Sequence, residues 1–437
     1  MLVPNSESVT NVSRKSERDH SDLSQHHGWR REDIAYCSNV HAGKTLDKLT
    51  QNLRSYITPV RNQRGLDTMT SGLWISATAA VQLQDNASML NFQQALRDAG
   101  LSLTSINGFP YRGFHQQEIK AKVYLPDWSM PARLQYSKNL ADILAVCLPE
   151  NCEFGAISTL PLGYKQWWND AKHQQAMAYF LELNQYLAEL YSSTGKRILV
   201  CLEMEPDCVL ESTYELIQFF GELATKNTLQ NPSDILFLGV CYDVCHQAVM
   251  HEDAYQALKL ITNAGIQIGK IQLSSALQVD FDSSKKIDPE LFELLQEYAE
   301  PTYLHQVRAK QVQGEVIACN DLSDALKIIQ DRQSELSKSL SWRIHFHVPI
   351  NSKRLNHASL TTTQIDLLRV FDFLHDYFTS SQMLDKTSKP WLEVETYSWH
   401  VLPKLLHSLD DAGLICGIVN ELNWVETQLA ARQLLLR

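Results

Sequence analysis

Short apolar runs that end in polar side chains alternate along the chain with stretches whose apolar residues recur at helical spacing. The runs are IAYCSNV (34–40), GLWISA (72–77), LSLTSING (101–108), GAISTL (155–160), RILVCLEME (197–205), ILFLGVCYD (235–243), GKIQLSS (269–275), WRIHFHVPI (342–350) and WLEVETYSW (391–399). Their length and their content of β-branched and aromatic residues predict strands. Between them, TLDKLTQNLRSYITPVR, NFQQALRDAG and AMAYFLELNQYLAELYSSTGKR carry the helical period, and the last closes with a glycine cap signal. This alternation predicts α/β units around a parallel sheet. Eight units close a (β/α)8 barrel, so nine candidates are one too many and one belongs to an excursion. The region 276–350 is where it falls, because YLHQVR (303–308) and GEVIAC (314–319) read as a β-hairpin inserted after the seventh strand. With no internal repeat and no Gly/Ser linker, the expectation is one elaborated barrel domain over 34–437, with an insertion at about 276–340. Residues 1–33 are polar and read as a flexible, disordered tail.

In a closed parallel barrel the βα loops form the open face, so chemistry sits at the carboxyl ends of strands. Glu203 and Glu205 end the fifth run and, two apart, project to the same side. Asp243 ends the sixth, with His246 three residues on. Gln272 and Ser274, His345 and His347, and Glu393 and Glu395 repeat the spacing of two. One strand-end carboxylate is usually a helix cap or an ion-pair partner. Four glutamates, an aspartate and several imidazoles at one mouth are different, since they lack basic partners nearby in sequence. Each unpaired buried charge costs several kcal/mol. A divalent metal ion would supply the missing charge, and the mixed donors suit Mn²⁺, Zn²⁺, Mg²⁺ or Co²⁺. Substrate contacts are expected from INGFPYRGFHQQEIKAKVYLPDW (106–128), which contains Asn107 and His115 among aromatic side chains that can stack on a ring. Tyr164 follows the fourth run. His305 and Arg308 form an anion clamp or a structural ion pair. His41, His345 and Trp399 complete the expected substrate-binding set.

Composition narrows the function. The chain has 39 Lys and Arg against 50 Asp and Glu, a formal charge of −11 that repels phosphate backbones and disfavours nucleic acid as a partner. No run of ~18 apolar residues predicts a membrane span, and the N-terminal stretch lacks the apolar core of a secretory signal. Nine cysteines without a CxxC pair read as reduced thiols in a cytoplasmic protein, with Cys241 and Cys245 in packing roles. There is no GxSxG, P-loop or GxGxxG. The single H-x-H comes late, unlike the early pair of amidohydrolase-type metal barrels.

The acids of LEMEPDCVLE, the D-x-x-H of YDVCH, the polar strand end IQLSS and the terminal acid of LEVETY resemble those of the xylose isomerase-like TIM barrel superfamily, which contains sugar isomerases, epimerases and endonuclease IV-type enzymes. The resemblance implies a divalent metal beside paired acids that exchange protons next to a substrate carbonyl. Carried over, Glu205 (or Glu203) matches the first carboxylate ligand, with Glu205 preferred because Glu211 follows it at the separation seen in the epimerases. Asp243 and His246 match the central pair and Glu395 (or Glu393) the last ligand, while Gln272 stands where many members have histidine. Glu203 or Glu393 would then remove the proton, and a second acid or His347 would return it. A longer ordered set, YCSNVHAGKT, INGFPYRGFH, STLPLGY, GVCYDVCHQAVMHED, GKIQLSSAL, YLHQVR, HFHVP, LEVETYSW and ELNWVE, looks like the EboE family of metabolite-traffic proteins. That implies a sugar isomerase-like protein acting on a small-molecule metabolite, a polyol, sugar or related precursor of secondary metabolism. It also implies a gene cluster that includes a membrane prenyltransferase as a candidate partner. A metal-dependent hydrolase and a non-catalytic binding or scaffold protein are the alternative expectations.

Overall fold

Polar residues cap the helices that follow the apolar runs, which is what turns the chain at the end of each strand. Thr45, Ser76, Asp85, Asn169, Asp243 and Asp253 each accept a hydrogen bond from the backbone N–H three residues ahead. The computed structural model describes residues 28–113, 120–226, 237–281, 288–330, 334–379, 388–403 and 410–436.

Eight strands form one parallel sheet: β1 (Ile34–Tyr36), β2 (Met69–Trp74), β3 (Leu101–Asn107), β4 (Gly155–Thr159), β5 (Ile198–Glu203), β6 (Leu238–Asp243), β7 (Ile268–Leu273) and β13 (Trp391–Val394). Their order is β1-β13-β7-β6-β5-β4-β3-β2, with every neighbour parallel. The two ends meet through a parallel bridge between Cys37 and Gly72. This is a (β/α)8 barrel, as the alternating pattern predicts. Small side chains on the inward face, among them Ala156, Cys201 and Cys241 with Leu199 and Phe154, fill its base.

The surplus ninth run belongs to a second sheet inserted between β7 and β13. It contains β8 (Ala276–Asp280), β9 (Val307–Lys310), β10 (Val316–Cys319), β11 (Ser341–His347) and β12 (Leu360–Thr362) in the order β10-β9-β11-β8-β12. All its pairings are antiparallel, and β9–β10 is the expected hairpin. The sheet reaches Thr362, beyond the expected limit near 340. His345 and His347 therefore sit on no barrel strand. They hang over the mouth from β11, where its pairing with β8 shifts between Ile344 and His347. Such a bulge re-aims side chains.

The packed part of the chain also begins earlier than expected, by residue 29. Trp29 is fully buried, packs edge-on to Phe378 with ring centroids 5.6 Å apart, and pairs with Leu435 near the carboxyl terminus. Apolar burial of an indole outweighs the polar context that suggested disorder up to residue 33. Residues 1–27 lie outside the described residues.

Helix Asp411–Ala431 packs on the barrel through a buried acid. Glu421 accepts from Ile350 N (3.0 Å), Thr396 Oγ1 (2.6 Å) and Trp399 Nε1 (3.1 Å). Burial pushes its carboxyl up to about 7, against the lowering effect of those donors. A raised folded-state value means that the folded protein holds a proton the unfolded chain has lost between pH ~4.5 and ~7. This contribution is complete below pH ~4.5 and is lost as pH rises towards 7. Denaturant titrations at pH 5 and pH 8 should show Glu421→Gln flattening that decline by about 1–3 kcal/mol relative to wild type.

Candidate functional site

Four side chains from four adjacent strand ends meet on one point. Glu203 and Asp243 are the last residues of β5 and β6, Gln272 lies on β7, and Glu395 follows β13. Gln272 Nε2 is 3.0 Å from Glu203 Oε1 and 3.2 Å from Asp243 Oδ2, and it also donates to Glu395 Oε2. A primary amide has two N–H groups, so three carboxylates over-subscribe it. Carboxylate oxygens of Glu203, Asp243 and Glu395 lie within 4.8 Å of one another. Asn39 and Asn107 donate to Glu395 Oε1 at 2.6 and 3.3 Å. Asp243 does two jobs: Oδ1 caps the next helix at His246 N (2.9 Å) while Oδ2 faces the cluster.

Three imidazoles surround this floor in fixed orientations. His246 Nδ1 contacts Met204 O (2.9 Å) and His347 Nδ1 contacts Glu395 O (2.8 Å). A carbonyl only accepts, so both Nδ1 atoms carry hydrogen. His345 Nδ1 lies 2.8 Å from Gln306 Oε1. The Nε2 atoms of His345 and His347 are buried without a partner among the described residues. Asp243, His246 and His347 form a second group of donors within 4.8 Å, as do Cys245, His345 and His347.

Burial sets the charge state. It pushes Glu203 up to about 8, with Asp243 and Glu205 adding repulsion while His246 and Lys270 oppose it. Glu395 is raised well above the carboxylate range by burial and then by Glu203 and Asp243. Burial also pushes Asp243 up, but His246, His347 and a hydrogen bond with Glu395 outweigh it and hold Asp243 low. Glu395 therefore keeps the proton of this pair. Burial lowers His347 to about 4 and His345 well below its ordinary value, so both rings are neutral. Neighbouring acids overcome burial at His246 and raise it.

The expectation of no basic partner is corrected one layer down. Lys270, two residues before Gln272 on the same face of β7, is fully buried and 2.8 Å from Glu393 Oε2. Ser105 Oγ donates to the same carboxylate. Gly72 makes room for it, since a Cβ there would collide with the Glu393 carboxylate. Glu393, expected as a base at the mouth, is thus neutralised beneath it. Glu203 ends β5 and shares the cluster, while Glu205 lies two residues past the strand end. Its Oε1 accepts from Tyr124 Oη (2.7 Å) and lies 4.0 Å from His345 Nδ1. Of the two, Glu203 is the one whose carboxylate lies within 4.8 Å of those of Asp243 and Glu395.

Above the floor opens a small cleft. Asn107, Glu203, Glu205, His246, His345 and Glu395 line it, as expected of a site. Other expected substrate contacts are engaged elsewhere. Trp399 turns to Glu421, and His41 bonds Tyr36 Oη (2.9 Å) and stacks on Tyr56 at 4.1 Å. His305 is held by Glu300 (3.0 Å), and Arg308 by Asp207 (2.6 Å) and Glu211 (3.2 Å), which is the structural ion-pair reading. Tyr164 stacks behind Tyr124 with ring centroids 5.2 Å apart. His115 lies outside the described residues. Sequence reasoning missed Lys270, Tyr124 and Asn39. The period of two, continued one step back from Gln272, is the signal that points to Lys270.

No family model and no curated protein matches the chain. Solved structures of similar shape include a probable 3-DHS dehydratase, AsbF, from Bacillus anthracis, with 13% identity, TM-score 0.34, and coverage of 69% of this chain and 89% of that one. A xylose isomerase-like TIM barrel protein from Mycobacterium smegmatis, in complex with magnesium, has 14% identity, TM-score 0.39, and coverage of 59% and 79%. The IOLI protein with a bound zinc atom has 12% identity, TM-score 0.33, and coverage of 57% and 73%. Such scores carry no argument about chemistry. Among the described residues no helix is long and apolar enough to cross a membrane.

Removing Lys270 leaves Glu393 buried and unpaired. Lys270→Met should lower unfolding free energy by about 3–5 kcal/mol, and Lys270→Met with Glu393→Gln should recover most of it. Denaturant titration of the two variants checks this.

Proposed function

We propose that this chain is a divalent-metal-dependent enzyme of sugar isomerase or epimerase type, acting on a small hydroxy-carbonyl compound in the barrel mouth. One observation carries the reading. Glu203, Asp243 and Glu395 converge on a single point, and the lysine below them is already neutralised by Glu393. The donors fit a cation. These three carboxylates would hold it, with the Gln272 amide as fourth donor through its oxygen, since the O and N of a glutamine side chain are told apart only by their partners. An all-oxygen set suits Mg²⁺ or Mn²⁺ better than Zn²⁺. When bound, such an ion polarises a substrate carbonyl and its neighbouring hydroxyl.

The chain's own residues supply the rest. Glu205 faces the cleft and is held by Tyr124, which places it to take a proton from the substrate and return it. His246, fixed at Nδ1 by Met204 O, presents Nε2 for a hydrogen bond to a substrate oxygen. His347 fixes the Glu395 backbone through Nδ1. A hydrolase is the second reading, favoured by the group Asp243, His246 and His347, which shares Asp243 with the carboxylate set. The EboE-like motifs support placement in metabolite traffic, in the cytoplasm, with a prenyltransferase of the same cluster as candidate partner.

Calorimetric titration with Mn²⁺ tests the site. Glu203→Gln, Asp243→Asn and Glu395→Gln should each weaken binding at least ~10-fold, while Glu205→Gln should stay within about 3-fold of wild type. Wild type that binds no Mn²⁺ would leave the non-catalytic binding role standing instead.

A further inference from the structure

Above its acidic base the cleft is walled mainly by apolar side chains. Its upper wall comes from two segments, the one after β3, with Phe109, Pro110 and Val123, and the one before β9, with Tyr303 and Leu304. The segments are tied together by Lys120 N to Thr302 O (3.2 Å) and by Gln306 Nε2 to Tyr124 Oη (3.0 Å). Tyr303 packs edge-on to Tyr397, with ring centroids 5.2 Å apart. Lys120 is the one lysine or arginine lining the cleft among the described residues, and its Nζ is taken by Asp321 at 2.6 Å.

Away from the floor, an anionic substituent would therefore find no lysine or arginine free to receive it among the described lining residues. A free sugar bears a hydroxyl on nearly every carbon, and most of these would lose water against carbon surface without a partner. We infer that the substrate is a neutral amphiphile: a hydroxylated head on the acid floor, carrying an apolar substituent of about ring size that lies against Phe109, Val123 and Leu304. This rests on the floor being the reactive site, as proposed above, and adds the class of molecule that site takes.

Calorimetry on the full chain, with and without Mn²⁺, separates the two readings. The probes are D-fructose, its 6-O-benzyl ether and D-fructose 6-phosphate. The benzyl ether should bind at least ~10-fold more tightly than fructose, because the ring buries apolar area that the parent sugar lacks, and the phosphate should bind more weakly than fructose. Val123→Asp and Leu304→Asp should each remove the benzyl preference while leaving Mn²⁺ affinity unchanged, which also reports that the variants are folded. A benzyl ether no tighter than fructose, a phosphate that binds best, or a preference that survives both substitutions overturns the inference. Mn²⁺ binding without the preference sinks the substrate class and spares the metal site. The preference without Mn²⁺ binding does the reverse.

Discussion

The structure depends on how negative charge is kept inside a barrel. Glu203, Asp243, Glu393 and Glu395 are all buried, and the single buried lysine among them is Lys270. In an interior of low dielectric an unpaired carboxylate is intolerable, so the inward residues are arranged around neutralising each one. Gly72 and Ser105 leave space and a hydrogen bond for the Glu393–Lys270 pair. With that pair closed, the layer above has no lysine or arginine among the described residues, and His246 is left to face its three carboxyl groups. Its protons and the crowded Gln272 amide are what hold it together, and a donor set in that state has a place for a positive ion.

The inserted sheet completes the mouth from the other side. A barrel strand alternates side chains between its lumen and its helices, so it delivers one layer of polar groups every second residue. The approach of β11 from above escapes that rule. Its bulge sends His345 and His347 down towards Asp243 and His246, and the ring centroids of His246 and His345 come to 4.6 Å. Contacts from Nδ1 to main-chain or amide oxygen orient the rings, and burial keeps His345 and His347 neutral.

Much of this was legible in the chain itself, for physical reasons. Strand ends are punctuated by polar residues because the open face of a barrel is where polar groups can be solvated or used. Glu203, Asp243, Gln272 and Glu395 are visible that way. Which member of each glutamate pair reaches the floor was not visible, since it depends on where the strand ends: β5 ends at Glu203, and β13 ends at Val394 with Glu395 just past it. The roles of Trp399, His305 and Arg308 were hidden for a different reason. Their partners Glu421, Glu300, Asp207 and Glu211 come from other segments, and pairing across the fold leaves no local pattern.

Tyr124 joins the two halves of the cleft. Its hydroxyl donates to Glu205 and accepts from Gln306, while its ring stacks on Tyr164 and meets Phe109 edge-on at 6.3 Å between centroids. The position of the Glu205 carboxylate is thus set by apolar packing of the wall as much as by polar contacts on the floor. Through this one side chain the apolar wall of the cleft and the acid below it are held in a single packed arrangement.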